Sequence, residues 1–225
     1  PSISAEPSST LLSNNTNNAL LAKANDIITY TFTVSEPLSQ YPEVKINLTG
    51  INDSIISMIH NSDSLGNTYV YTHKVSESDP TGPVSAQVTQ MIDRAGNVNS
   101  TSLALSGVST DTTPPTFIES SFTSGFVKVN DIVELTMTAS ETLKDVPEIT
   151  FTVNGNTGQR ETVSPSAVPS SNIYTYTYTL DTNDQNGIVA YSFTNTLVKD
   201  LAGNHVASPI NGSGATFDKE PPSIS

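Results

Sequence analysis

The chain has 225 residues, a formal net charge of −13, 35% apolar residues and no cysteine. The charge excludes nucleic acid and anionic membrane surfaces as partners, since both attract basic patches. The missing cysteine excludes disulfide staples and thiol chemistry. Ser and Thr make up roughly a quarter of the chain, a β-prone and well-solvated composition rather than a helical one. No apolar run is long enough to span a bilayer and no stretch reads as a signal peptide, which for an internal fragment says nothing about export.

In chain order, the first strand signal is Ile28, Tyr30, Phe32 and Val34 alternating with Ile27, Thr29, Thr31 and Thr33. Val44, Ile46 and Leu48 follow with the same period of two, then Tyr69 and Tyr71, then Val84, Ala86 and Val88. This is the pattern of antiparallel strands with one buried face. It then recurs. Asn25-Asp26-Ile27 falls on Asn130-Asp131-Ile132, Ser35-Glu36 on Ser140-Glu141, Pro42-Glu43 on Pro147-Glu148 and Gly50 on Gly155, each pair 105 apart. Past Gly82 and Gly187 the offset becomes 107: Asp93 falls on Asp200, Ala95-Gly96-Asn97 on Ala202-Gly203-Asn204, and Asp111 on Asp218. The chain is therefore two copies of one unit, 1–113 and 114–225, the second ending in the start of a next linker. The first copy is longer in its opening region, with an extra polar stretch at residues 11–18.

The linkers are Asp111-Thr112-Thr113-Pro114-Pro115 and Asp218-Lys219-Glu220-Pro221-Pro222. Paired prolines fix φ and favour an extended, stiff connector. Pro222-Ser223-Ile224-Ser225 repeats the opening Pro1-Ser2-Ile3-Ser4, as in a piece of a longer tandem array. Six or seven strands in about 110 residues predict, for each unit, an all-β immunoglobulin-like antiparallel sandwich, the two in an extended, rod-like arrangement. The Tyr174, Tyr176 and Tyr178 run, alternating with Thr175, Thr177 and Thr179, reads as one more strand with a Tyr face and a Thr face.

Strands lettered A to G and followed up and down place Asp26, Asp79 and Asp111 at the bottom of the first unit and Glu36 and Asp93 at its top. In the second unit Asp131, Asp184 and Asp218 lie at the bottom, near Asp181, and Glu141 and Asp200 at the top. The junction between units would then gather Asp26, Asp79, Asp111, Glu141 and Asp200. Close carboxylates repel by about 1 kcal/mol or more per pair. Converging hard oxygens are what Ca²⁺ takes, with six to eight ligands; Mg²⁺ demands stricter geometry. Glu36 and Asp93 at one end, and Asp131, Asp184 and Asp218 at the other, would form half-sites for neighbouring repeats. A loop Asp also serves as a turn former, and Asp93 and Asp200, each preceding Ala-Gly-Asn, fit that role as well.

Asp-x-x-Pro-Pro, Asn-Asp before strand B, Ser-Glu-x-Leu after it and Asp-x-Ala-Gly-Asn before the last strand together resemble the bacterial immunoglobulin-like repeats of giant surface adhesins. The resemblance implies tandem sandwiches in long rods, stiffened by calcium at the junctions through Asp26, Asp111, Glu141 and Asp200 and their equivalents. It implies an extracellular, cell-surface spacer whose partners are neighbouring repeats of the same chain, with glycan or protein ligands bound by other domains.

An enzyme is not expected. His60, His73 and His205 lack metal-ligand spacing, and no nucleophile elbow or phosphate loop is present. Two other readings stand beside the spacer: a glycan- or protein-binding module using the stretch at 11–18, and a repeating subunit of a surface filament. Asn14, Asn47, Asn52, Asn99 and Asn211 begin Asn-x-Ser/Thr sequons that the filament reading would use for glycosylation.

Overall fold

A computed structural model describes residues 9–48, 55–57, 59–60, 67–100, 103–154, 161–163, 172–193, 198–208 and 210–224. Gly50, Asn52, Gly155, the opening tetrapeptide and Ser225 lie outside the described residues, as does the side chain of His60. The chain divides into two compact units, Pro1–Thr113 and Pro114–Ser225. Every regular element among the described residues is a strand.

In unit 1 the strands are β1 (Thr10–Ser13), β2 (Leu21–Ala22), β3 (Ile27–Thr33), β4 (Val44–Leu48), β5 (Ile55–Ser57), β6 (Ile59–His60), β7 (Thr68–Lys74), β8 (Gly82–Val88), β9 (Met91–Ile92), β10 (Val98–Asn99) and β11 (Leu103–Thr110). One sheet runs β1-β3-β7-β6 and the other β2-β11-β8-β4-β5, with β9 and β10 a separate hairpin. In letters these are A-B-E-D and A′-G-F-C-C′, which is the strand order of an immunoglobulin-type sandwich. Unit 2 has β12 (Phe117–Phe122), β13 (Gly125–Val127), β14 (Ile132–Ala139), β15 (Ile149–Val153), β16 (Glu161–Val163), β17 (Ile173–Thr179), β18 (Gly187–Ser192) and β19 (Asn211–Phe217). Its sheets, β12-β14-β17 and β13-β19-β18-β15-β16, repeat the order A-B-E and A′-G-F-C-C′.

The alternating side chains explain why these segments pair as they do. Ile28, Tyr30, Phe32 and Val34 are buried in unit 1, as are Val133, Leu135, Met137 and Ala139 in unit 2. Each unit closes its own core. In unit 1 Phe32 stacks between Tyr69 and Tyr71, with centroids 5.5 and 5.9 Å away. Two phenols tie the sheets together in matching places: Tyr71 donates to the Pro42 carbonyl at 2.5 Å and Tyr176 to that of Pro147 at 2.9 Å. Burial pushes both phenols upward, so they remain protonated donors.

The opening of each unit differs from a single strand A followed by a loop. In both, the first strand pairs antiparallel with strand B, then the chain crosses and pairs parallel with strand G. Residues 11–13 of the polar stretch belong to β1, and the extra residues sit in the crossover to β2. That crossover is tied down locally. Asn15 Oδ1 accepts from the Asn17 and Asn18 amides at 2.8 and 3.2 Å, and Asn18 Oδ1 accepts from the Leu20 amide at 2.9 Å. Such Asx contacts replace a ladder that the chain cannot make while changing sheets.

Candidate functional site

Three pairs of acidic residues sit in three kinds of turn. The first is Lys23-Ala24-Asn25-Asp26 and its copy Lys128-Val129-Asn130-Asp131. Asp26 and Asp131 donate their amides back to the Lys23 and Lys128 carbonyls at 3.0 and 3.1 Å. Asn25 and Asn130 hold φ of 74° and 69°, the left-handed conformation that Asn tolerates better than other side chains. Each carboxylate caps the turn by accepting the lysine amide at 2.9 Å. Asp26 also accepts Asn15 Nδ2 at 2.6 Å, so the enlarged crossover of unit 1 reaches a residue in the proposed ligand set. Asp131 instead takes the Lys128 ammonium at 3.1 Å. The Lys128 amide, then its ammonium, hold the Asp131 carboxyl below the usual carboxylate range.

The second turn follows strand F. Asp93 Oδ1 accepts the Ala95 and Asn97 amides, both at 2.8 Å, and Oδ2 accepts Asn97 Nδ2 at 2.7 Å. Asp200 Oδ1 accepts the Gly203 and Asn204 amides at 2.6 and 2.9 Å, and Oδ2 accepts Asn204 Nδ2 at 2.8 Å. Gly96 and Gly203 supply the positive φ, 90° and 94°, that closes this turn. The Asp-x-Ala-Gly-Asn motif is thus turn chemistry in both units. Each turn also carries the B–C segment: Leu38 bridges Asp93 and Leu143 bridges Asp200, which is why Ser-Glu is followed by x-Leu. In unit 2 this brings a Glu141 carboxylate oxygen within 4.8 Å of one from Asp200. Glu36 lies exposed after β3.

The Asn97 side chain, then the Asn97 amide, hold the Asp93 carboxyl below its ordinary value. The unfolded chain therefore takes up the proton first as pH falls. Stability contributed by Asp93 is complete above the ordinary carboxylate pKa, about 4, and is lost as pH drops through the lower folded value. Acid titration of the melting midpoint of unit 1 should show this loss below about pH 4, with a flatter profile in Asp93→Asn. A variant with the wild-type slope would remove Asp93 from the acid response.

The third turn is the E–F corner. Asp79 is buried; its Oδ2 lies 2.9 Å from His73 Nε2 and accepts the Ser76 amide at 2.9 Å. Asp184 is fully buried and accepts the Tyr178 hydroxyl and the Asp181 amide, each at 2.9 Å. Asp181 in turn accepts the Asn183 amide at 2.6 Å. Sequence reasoning set Asp79 and Asp184 at the bottom of their units, where they are, but pointed them at an ion. Their carboxylates instead face inward. The signal was His73 and Tyr178, each six residues before the acid at matching positions.

Asp111 and Asp218 begin the exit segments. Their amides donate to Ala22 and Val127 at 2.8 and 3.0 Å, continuing the parallel A′–G pairing. Their Oδ1 atoms accept the amides of Thr113 and Glu220 two residues on. In unit 1, Asp26, Asp79 and Asp111 share one end: Val75 bonds Asn25 and Asp26 through its backbone, and Thr112 donates to the Asp79 carbonyl at 2.8 Å. In unit 2, Asp131, Asp184 and Asp218 share the corresponding end through Leu180, Lys219 and Val127.

No family model matches the chain, and no curated protein matches it. Solved structures do. A tandem pair of titin Ig domains aligns at 13% identity over 89% of this chain and 92% of that one, with a TM-score of 0.30. A marsupial T cell receptor aligns at 10% identity over 96% and 75%, with a TM-score of 0.45. Sidekick-1 immunoglobulin domains 1–5 align at 11% identity over 87% and 45%, with a TM-score of 0.32. The immunoglobulin-like assignment rests on the strand order of each unit, not on these likenesses.

Proposed function

We propose that the chain is a pair of structural spacer repeats from an extracellular cell-surface adhesin or filament, stiffened by calcium between successive repeats in an extended array. The observation that carries this reading is that the same acidic residues recur in both units in the same turns and exit segments, so each unit carries oxygen donors at both ends. Their local turn roles account for the recurrence of the aspartates; Glu141, whose carboxylate comes within 4.8 Å of that of Asp200, is an acid to which no such turn role is assigned.

The donor set fits a hard cation: every acidic group concerned offers oxygen, and no Cys competes. The ligands we propose are Asp26, Asp111, Glu141 and Asp200, with Glu36, Asp93, Asp131 and Asp218 serving neighbouring repeats. Asp79 and Asp184 are left out because their carboxylates are spent inside their own units. Asp200 would have one oxygen-lone-pair direction to offer beyond its turn, on Oδ2, since a carboxylate oxygen accepts about two bonds. At about 1 mM free calcium and a dissociation constant of about 0.1 mM, binding contributes about 1.4 kcal/mol per site. That biases a hinge without being needed to fold a sandwich.

The test is small-angle scattering with calcium at about 1 mM, the upper end of the dissociation constants of extracellular calcium modules, and then with excess EDTA, alongside a melting curve. A longer, more uniform particle and a higher midpoint with calcium are expected. Identical curves in both conditions would remove the ion and leave the prolines and packing to set the shape.

A further inference from the structure

We propose that the E–F corner of each unit is a clasp that fixes the direction in which its own exit segment leaves the sandwich, independently of any ion. The inward carboxylates Asp79 and Asp184 are the positioning residues of this clasp. In unit 1, Asp79 holds the corner by accepting the Ser76 amide and engaging His73 on strand E. The corner so fixed presents its outer atoms to the exit segment. Thr112 Oγ1 donates to the Asp79 carbonyl at 2.8 Å, and the Thr112 amide donates to Thr81 Oγ1 at 3.2 Å. Thr81 and Thr113 share a hydroxyl contact at 3.1 Å. One step earlier, Thr110 Oγ1 donates to the Pro80 and Gly82 carbonyls at 2.6 and 3.1 Å.

Unit 2 reaches the same end with different side chains. Tyr178 replaces His73 against Asp184. Lys219, at the position of Thr112, donates its ammonium to the Thr182 and Asp184 carbonyls at 3.0 and 2.8 Å. The Lys219 amide donates to Asn186 Oδ1 at 2.9 Å, where unit 1 uses Thr81. Two side-chain sets that share only the aspartate make the same connection. A chance surface contact would not be rebuilt with hydroxyls in one copy and an ammonium in the other. The segment held is the one that leads into Pro-Pro, whose fixed φ carries a set direction onward instead of dissipating it.

Amide hydrogen exchange of the whole chain in EDTA tests this. Thr112→Val keeps the branched side chain and removes the donor; Lys219→Met does the same for unit 2 at an exposed position. Each should speed exchange at the held amide of its own exit segment about fivefold, the effect of one ordinary hydrogen bond. Sheet amides such as those of Tyr30 and Tyr176 should not change. His73→Phe should loosen the exit segment of unit 1 in the same way, and His73→Tyr, the arrangement of unit 2, should restore it. Unchanged exchange at residues 112 and 219 in the Val and Met variants overturns the proposal. So does a His73→Tyr variant as loose as His73→Phe, because the corner would then not set the exit. If His73→Phe disturbs the sheet amides, the Val and Met variants alone decide. Calcium-dependent scattering can fail without affecting any of these results.

Discussion

Phe32→Ala is expected to destabilise unit 1 by about 3–5 kcal/mol, the usual cost of emptying a buried phenylalanine site. Phe32 is fully buried in the middle of strand B. Its ring lies 5.1 Å from Tyr30, 5.5 Å from Tyr69 and 5.9 Å from Tyr71. The neighbouring rings are rigid and two of them are anchored: Tyr71 by Pro42, and Tyr69 by the Leu38 amide at 3.3 Å. They cannot collapse into the space, so the cavity term adds to the transfer term. Since a domain of this size is stable by about 5–15 kcal/mol, the loss approaches the whole in the lower part of that range. At about 4–8 °C per kcal/mol, the midpoint of unit 1 should fall by about 12 °C or more. The core of unit 2 shares no residue with this cluster, so its transition should stay in place. Phe32→Met, the residue that unit 2 carries at position 137, refills most of the space with a flexible side chain and should cost clearly less than Phe32→Ala. Calorimetry resolving two transitions checks all three statements. Equal losses for Ala and Met would mean that the aromatic stack, not the filled volume, holds the strand.

Asp200→Ala is expected to destabilise unit 2 by about 3 kcal/mol. The substitution takes the side-chain acceptor away from the Asn204 amide and Asn204 Nδ2 at a buried aspartate, and leaves the Gly203 amide only the residue 200 carbonyl at 3.2 Å. A hydrogen bond to a charged group is worth about 1.5–3 kcal/mol, and an unmet buried donor carries its full desolvation penalty. Against this, removing the charge relieves repulsion from Glu141, whose carboxylate comes within 4.8 Å. That relief is about 1 kcal/mol at a partly solvated end, so the lost charged hydrogen bonds win. Urea unfolding in EDTA measures the loss. The same site separates structure from ion binding: Glu141→Gln leaves the turn intact and should abolish only the calcium-dependent rise in midpoint. If Glu141→Gln keeps that rise, Glu141 is not a ligand.

Strands B, C, E and F were legible because alternation is strict where one face meets the core, as Ile28, Tyr30 and Phe32 show beside Thr29, Thr31 and Thr33. The two-unit period was legible for the same reason, reinforced by Asn-Asp turns whose left-handed Asn25 and Asn130 tolerate few substitutes. The division of the first strand between two sheets was not. Residues 14–18 are polar because they cross between sheets, and polarity without period looks like an insertion. Strand G was faint as well, since Gly107 in unit 1 and Gly212 and Gly214 in unit 2 interrupt its alternation. At the ends, topology alone could assign each acid to an end of its unit, but it could not say which way a carboxylate turned. For Asp79 that depended on a histidine across a corner, and burial of a charge reads from sequence like any loop aspartate.

The crossing of the first strand has a consequence under tension. In each unit the entering segment pairs parallel with strand G, from which the chain leaves. Pulling the two ends apart therefore slides these strands past one another along their length, and the bonds between them share the load together. The antiparallel pairing of the first strand with strand B is loaded from one end and gives way bond by bond. The sliding contact spans two residue pairs in unit 1, Ser109 with Leu21 and Thr110 with Ala22, and three in unit 2, from Gly125 with Ala215 to Val127 with Phe217. Under a steady pull along the chain, unit 1 is expected to yield before unit 2, which single-molecule force extension would read as a lower first unfolding force.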